Sequence, residues 1–281
     1  MTASDGASPE PRILVFDSGL GGLTVFGEVV RLRPGAQVLY LADDAVFPYG
    51  RLTEEDLVGR VLSVMDRMLP SLRPDIVVIA CNTASVSVLA PLRARWPDIP
   101  FVGTVPAIKP AAALSRTRTI SVLATPGTVA REYTHDLVRS FADGCEVTLV
   151  GAPRLAALAE AALRGQAVAD AEIATEIAPA FVQRGERRTD AVVLACTHYP
   201  LLLGRLAALA PWPVSFIDPA AAIARRTDAV LGHHGFAPSG APIASAGHTA
   251  LFTAAAGPGG PLRAALADRG FTSILQVPHI R

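Results

Sequence analysis

Short apolar runs bounded by turn-forming residues recur along the chain, at residues 13–17, 38–41, 76–80, 101–103, 120–124, 147–150, 191–195 and 214–217. None alternates apolar with polar positions, the pattern of parallel strands covered on both faces. Helical periodicity fills the intervals. Thr53, followed by Glu54, Glu55 and Asp56, caps a helix predicted to run to about Leu69, with Leu57, Val58, Val61, Leu62 and Met65 at helical spacing. Asp218-Pro219 opens another, with Asp at the cap and Pro in the first turn, ending near Gly232. From Phe236 onward the chain is rich in Gly, Ala and Pro, and the pattern predicts only a helix over 262–269 and a strand near 273–277. Strands alternating with helices define an α/β protein with largely parallel sheets.

The pattern also repeats itself. Asp75-Ile-Val-Val-Ile-Ala-Cys81-Asn82-Thr83 resembles Asp190-Ala-Val-Val-Leu-Ala-Cys196-Thr197-His198, and the strand-turn openings at Ile13 and Ile120 also match. The expectation is two similar parallel-sheet α/β lobes related by internal duplication, over residues 12–105 and 106–215. Residues 216–281 are expected to complete the first lobe, and residues 1–11 to form a disordered tail. Ligands of open parallel sheets bind beyond the carboxyl ends of the strands. Cys81 and Cys196 sit at such ends, one per lobe, so facing lobes would place both thiols across a cleft.

Composition narrows the possibilities. The 281 residues are 51% hydrophobic, and 25 basic residues balance 25 acidic ones, so nothing calls for nucleic acid or a membrane surface. No stretch approaches the roughly 20 apolar residues of a membrane span. The polar opening MTASDGASPEP lacks the apolar core of a secretory signal, and the expected location is cytoplasmic. Three cysteines are too few for a disulfide framework and do not cluster with the six histidines at metal-ligand spacing, so no metal is expected. Pyridoxal phosphate needs a Schiff-base lysine. Lys109, the sole lysine, lies between Ile108 and Pro110 at a predicted helix start, which argues against that cofactor.

A lone cysteine at a strand end is usually a small core residue. Here both close their strands and both precede residues carrying hydroxyl, amide or imidazole groups, whereas Cys145, after Asp143-Gly144, has no such company and reads as structural. Two opposed thiols allow one to take a proton from one face of a carbon while the other delivers a proton to the opposite face. His198, two residues after Cys196, is placed to support that thiol. Asp17 and Asp43 are the carboxylates nearest the Cys81 side and act either on Cys81 or on a substrate ammonium. Asp17-Ser18-Gly19-Leu20-Gly21-Gly22 is neither a dinucleotide fingerprint nor a P-loop; it is a close-packed turn or an anion site at a helix start. Pro48-Tyr49-Gly50 either presents the Tyr49 hydroxyl and Gly50 amide to a ligand or merely connects a strand to a helix.

Taken together, Phe16-Asp-Ser-Gly-Leu-Gly-Gly22, Pro48-Tyr-Gly50, Ala80-Cys-Asn-Thr-Ala84 and Ala195-Cys-Thr-His-Tyr-Pro200 resemble the glutamate racemase family, over residues 13 to about 232. Val105-Pro-Ala-Ile-Lys-Pro110 and Leu123-Ala-Thr-Pro-Gly-Thr128 also look like that family. The resemblance implies a cofactor-independent isomerase that interconverts the glutamate enantiomers, supplies D-glutamate for peptidoglycan and forms homodimers. It implies Cys81 and Cys196 as the proton donor/acceptor pair, with Cys81 abstracting from D-glutamate and Cys196 from L-glutamate. It further implies that Asp17, Ser18, Tyr49, Gly50, Asn82, Thr83, Thr197 and His198 contact substrate or tune the thiols, and that Asp43 assists proton transfer. Leu41-Ala-Asp-Asp-Ala-Val-Phe47 departs from the resemblance, lacking the Thr and basic residue the family often places before Pro-Tyr-Gly. The alternatives are a racemase for another amino acid such as aspartate, a single-cysteine lyase or decarboxylase on a related scaffold, and a bilobal amino-acid-binding protein.

Overall fold

The structure is a computed structural model, and it describes residues 10–238 and 247–277. Most of the expected tail, residues 1–9, lies outside the described residues; Pro11 already belongs to the sheet, its carbonyl accepting the Gln37 N–H at 3.1 Å. The first half runs β1 (Arg12–Asp17), α1 (Leu23–Leu32), β2 (Gln37–Ala42), α2 (Glu54–Leu72), β3 (Ile76–Ile79), α3 (Asn82–Arg95), β4 (Phe101–Gly103) and α4 (Ile108–Leu114). The second runs β5 (Thr119–Ala124), α5 (Pro126–Val129), α6 (Glu132–Phe141), β6 (Glu146–Gly151), α7 (Leu155–Leu163), α8 (Asp170–Ile177), a short hairpin of β7 (Gln183–Arg184) and β8 (Arg187–Arg188), β9 (Ala191–Leu194), α9 (Leu203–Leu209) and β10 (Ser215–Ile217). The chain closes with α10 (Ala220–His233), β11 (His248–Phe252), α11 (Gly260–Ala267) and β12 (Phe271–Gln276).

Two sheets form, each with only parallel pairings. Their orders are β12-β11-β2-β1-β3-β4 and β10-β9-β5-β6. The core order β2-β1-β3-β4 of the first is repeated as β6-β5-β9-β10 in the second, so the repeat seen in the sequence is also a repeat of topology. Cys81 and Cys196 each lie two residues beyond the equivalent strands β3 and β9. The uniform apolar character of the strands has a direct cause. In β1, Ile13 and Val15 enter the core shared with α1 and α10, while Leu14 and Phe16 enter the core beneath α2 and α3. Both faces are covered, so no polar position is needed.

Helix α2 has Thr53 at its cap, accepting the Asp56 N–H, and continues past Leu69 to Leu72, where Arg73 turns left-handed at φ 44°. The predicted start of α10 is displaced by one residue. Pro219 is the cap, and Asp218 Oδ1 accepts the Ala220 N–H at 2.9 Å from one position further out. Strand β11 is absent from the sequence reading. It follows the Gly/Ala/Pro-rich stretch and has only five residues, and it is recruited by pairing with β2 rather than by its own pattern.

His248, on β11, is buried with its ring edge-on to Phe26 at 5.1 Å and near Phe271 at 6.1 Å. Its Nδ1 accepts the Val38 N–H at 3.4 Å. Burial in this apolar cage holds its pKa below the ordinary value. The proton therefore prefers the unfolded chain, so the contribution of this site is complete above the unfolded pKa of about 6.5 and falls as pH drops through the folded value. Urea unfolding of wild type should weaken between pH 7.5 and 5 more steeply than that of His248→Asn, by at most about 1.4 kcal/mol per pH unit for one proton. Equal slopes would show that His248 titrates alike in both states.

Candidate active site

The carboxyl ends of the two sheets face each other, and the residues after β3 and β9 meet there. Ser18, Phe47, Tyr49, Gly50, Cys81, Asn82, Thr83, Thr125, Cys196, Thr197 and His198 surround one residual cavity of about 10 Å³, roughly the space of a single water. Of the expected site residues, Asp17 lies immediately behind this wall, and Asp43 stands further back.

On the first lobe, Cys81 caps α3, and its Sγ lies 3.6 Å from Ser18 Oγ. Burial pushes the Cys81 thiol up to about 12, and the nearby Asp17 carboxylate adds to the effect. In this closed arrangement Cys81 therefore rests as a thiol. Asp17 is fully buried; Oδ1 accepts the Gly19 N–H at 2.9 Å, and Oδ2 accepts the Thr197 hydroxyl of the other lobe at 2.9 Å. Burial raises its pKa, against the opposing pull of His198.

On the second lobe, Cys196 Sγ lies 3.8 Å from His198 Nδ1, and His198 Nε2 lies 3.0 Å from Glu160 Oε1. Burial alone would lower the imidazole pKa, but the hydrogen bonds to Cys196 and Glu160, with the charges of Cys196 and Asp17, raise it well above the ordinary value. Burial pushes Glu160 upward, but its bond to His198 prevails and holds it below the carboxylate norm. The pair is thus a carboxylate and an imidazolium. The Gly21 N–H also lies 3.2 Å from His198 Nε2. Both cannot be hydrogen bonds with Nε2 protonated, and the charge-assisted bond to Glu160 is the stronger, so the Gly21 contact is close packing.

Glu160 was not singled out from sequence. The available signal was a lone charge in the otherwise Leu/Ala stretch Leu155–Leu163, at a position that proves buried. Thr125 and Thr128 were also seen only as part of a motif. Their hydroxyls form a mutually bonded trio with Thr83 at 3.0–3.2 Å across the lobe boundary. Asn82 is buried among these groups, and neither of its side-chain amide atoms has a hydrogen-bond partner among the described residues.

The glycine-rich turn is an anion site, but the anion belongs to the protein. The Gly19 N–H goes to Asp17 and the Leu20 N–H to Glu160 Oε1 at 2.7 Å. Tyr40, from β2, steadies the turn by donating to the Gly19 carbonyl at 2.6 Å. The turn is also tightly packed: a Cβ on Gly21 would fall 2.4 Å from Thr197 Oγ1 and 2.5 Å from His198 Nδ1.

Asp43 does not meet the cavity. Its carboxylate accepts Arg60 Nε at 2.8 Å and Nη2 at 2.6 Å, the Thr253 hydroxyl at 2.7 Å, and the Tyr49 hydroxyl. With its lone pairs so occupied, it clamps the Tyr49 turn from behind the cavity. Cys145 is half-buried at the start of β6, 3.9 Å from Arg118 Nη1 and apart from this cluster.

This fold and site define a class: two-lobed parallel α/β proteins whose cleft lies between the carboxyl ends of duplicated sheets. Residues 27–227 match the model of the Asp/Glu/Hydantoin racemase family, and the chain belongs to that family. It is 54% identical over 224 residues to the glutamate racemase of Brucella ovis, covering 80% of this chain and 81% of that one. It is 53% identical over 230 residues to that of Brucella anthropi, covering 82% and 83%. Escherichia coli glutamate racemase, solved with L-glutamate and the activator UDP-MurNAc-Ala, superimposes with a TM-score of 0.86 at 37% identity, covering 96% of this chain and 99% of that one. The Thermus thermophilus enzyme, solved with β-chloro-D-alanine, has a TM-score of 0.71 at 28% identity, covering 96% and 98%.

Gly21 offers a test of the seam. Gly21→Ala should lower kcat/KM by about 10²-fold or more, because it displaces Thr197 and His198 from their places in the site. Gly27→Ala, on α1 with open space around it, should leave activity intact and gain up to about 1 kcal/mol of stability. Full activity in Gly21→Ala would show that the lobes do not close as described.

Proposed function

We propose that this chain is a cofactor-independent isomerase that interconverts L- and D-glutamate through Cys81 and Cys196. The observation that carries this reading is one thiol from each lobe on a single cavity, each with its own polar support. Cys196 faces the His198 imidazolium, and Cys81 rests as a thiol. For L-glutamate, the Cys196 thiolate takes the α-proton, and Cys81 gives its S–H proton to the opposite face. The products are D-glutamate, a Cys196 thiol and a Cys81 thiolate, the arrangement the reverse reaction starts from. Glutamate as the substrate is supported by relatives of that name at 54% identity.

Within this reading, Ser18, Asn82 and Thr197 hold the α-amino and α-carboxylate groups, because Asn82 has two buried polar atoms awaiting partners. Tyr49, Gly50, Thr83 and Thr125 bound the remainder of the cavity and receive the side-chain carboxylate. Asp17 and His198 support the two thiols from either lobe. The role is supply of D-glutamate for peptidoglycan, by a homodimer in the cytoplasm. Among the described residues no helix is long and apolar enough to cross a membrane.

Purified protein should abolish the optical activity of L-glutamate without added pyridoxal phosphate, nucleotide or metal; dependence on pyridoxal phosphate would overturn the reading. Cys145→Ala should keep most activity, while Cys81→Ser and Cys196→Ser should each lose about 10²–10⁴-fold in racemisation. Each serine variant retains one competent base, so each should still eliminate chloride from one enantiomer of β-chloroalanine. Cys81→Ser should act on the L form and Cys196→Ser on the D form. The same enantiomer being processed by both variants would refute the two-face mechanism; a simple exchange of enantiomers would reverse only the assignment of faces.

A further inference from the structure

Glu160 divides its two oxygens between two tasks. Oε1 takes the Leu20 N–H and faces His198, and Oε2 faces Arg164, at 3.2 Å from Nη2 and 3.3 Å from Nε. Arg164 follows Glu160 by one helical turn at the end of α7, where its own N–H bonds the Glu160 carbonyl at 2.9 Å. The same Nη2 lies 3.7 Å from Oδ2 of Asp44, which belongs to the first lobe. Asp44 is fixed there by the Ala254 N–H on Oδ1 at 2.8 Å, and its side chain is only 5% exposed. Asp44 sits in the 41–47 loop, where this sequence departs from the pattern often found in the family, so the link to Arg164 is not carried over from the resemblance. Phe47 of the same loop packs on the His198 ring at 5.1 Å between centroids.

We propose that Arg164 is a positioning residue for the Cys196 half of the reaction, holding the Glu160 carboxylate aimed at His198, and that Asp44 ties this hold to closure of the lobes. The proposal rests on the two-thiol reading. The charged and titratable groups around the seam include Asp17, Tyr40, Asp44 and Cys81 from the first lobe, and Glu160, Arg164, Cys196, His198 and Tyr199 from the second. Among the described residues, the ion-pair partners of Glu160 are His198 and Arg164. Removing Arg164 leaves Oε2 of Glu160 without its ion-pair partner beside the buried His198. Glu160 then loses the partner that fixes its Oε2, its carboxylate is freer to turn away from His198, and the imidazole at Cys196 loses the charge that holds it. The side-chain contact of Cys81 is with Ser18 and not with His198, Glu160 or Arg164, so the two halves of the reaction should respond unequally.

The test uses Arg164→Gln in the Cys81→Ser and Cys196→Ser backgrounds, with chloride release from β-chloroalanine as the readout. Where Cys196 is the working base, the change should slow elimination about tenfold, the scale of one charged hydrogen bond. Where Cys81 is the working base, the effect should stay under about twofold, Arg164→Lys should restore most of the loss, and Asp44→Asn should give a smaller loss in the same background. In otherwise wild-type protein, the ring resonances of His198 should titrate at lower pH in Arg164→Gln than in its parent. Equal slowing in both backgrounds, or an unchanged His198 titration, would reduce Arg164 to a packing residue and overturn the proposal. If the single serine variants do not divide the enantiomers between them, the two-thiol reading fails by itself, and the His198 titration still decides whether Arg164 acts on the imidazole.

Discussion

A carboxylate and an imidazolium buried together at the seam between two lobes is the constraint from which the rest of this site follows. Neither Glu160 nor His198 can shed its charge cost to water, and a buried charge that loses its partner is destabilising by several kcal/mol. Partners must therefore come from protein, and they come from both lobes. The first lobe supplies the Leu20 N–H, the second supplies Arg164 and the strand end that carries Cys196. For the first lobe to reach so close, its turn must lack side chains, which is why glycine occupies position 21. The thiols acquire their separation and surroundings as a consequence of this packing.

The sequence is informative where one residue's environment is set by its neighbours in the chain. The strands of the duplicated sheet cores, the topological repeat and the two strand-end cysteines are legible because covered parallel strands need uninterrupted apolar runs. His198 is legible because it lies two residues from a cysteine. Glu160 is not, because the two partners that bring it to the site, His198 and Leu20, are 38 and 140 positions away and its own helix looks like ordinary Leu/Ala filler. Asp43 is legible as a marked position but not by its partners. Its place before Pro48-Tyr49-Gly50 implies chemistry, yet Arg60 from α2 and Thr253 from beyond β11 fill its carboxylate, contacts that no local pattern announces.

That clamp also gives the weakly patterned C-terminal part of the chain a purpose. Strand β11 pairs with β2, and the residues immediately after it, Thr253 and Ala254, bond the side chains of Asp43 and Asp44. The loop that carries Phe47, Tyr49 and Gly50 to the cavity is thus fixed from behind by a segment more than 200 residues further along. The site has three contributors: two duplicated halves that each bring a thiol, and a tail that holds one wall in place.

The chain passes from the first lobe to the second between β4 and α4, and returns between β10 and α10. These two passages run side by side, for Gly103, Pro106, Ala107 and Pro110 of the first and Pro219 and Ala222 of the second line one cavity of about 340 Å³. Two adjacent covalent crossings act as the paired leaves of a door hinge. They permit rotation about the line that joins them and resist twisting or sliding of one lobe over the other, and the prolines in both crossings stiffen them further. The paired links thus leave few relative arrangements within reach of the two lobes, which favours the one that seats Cys81 and Cys196 on a single cavity.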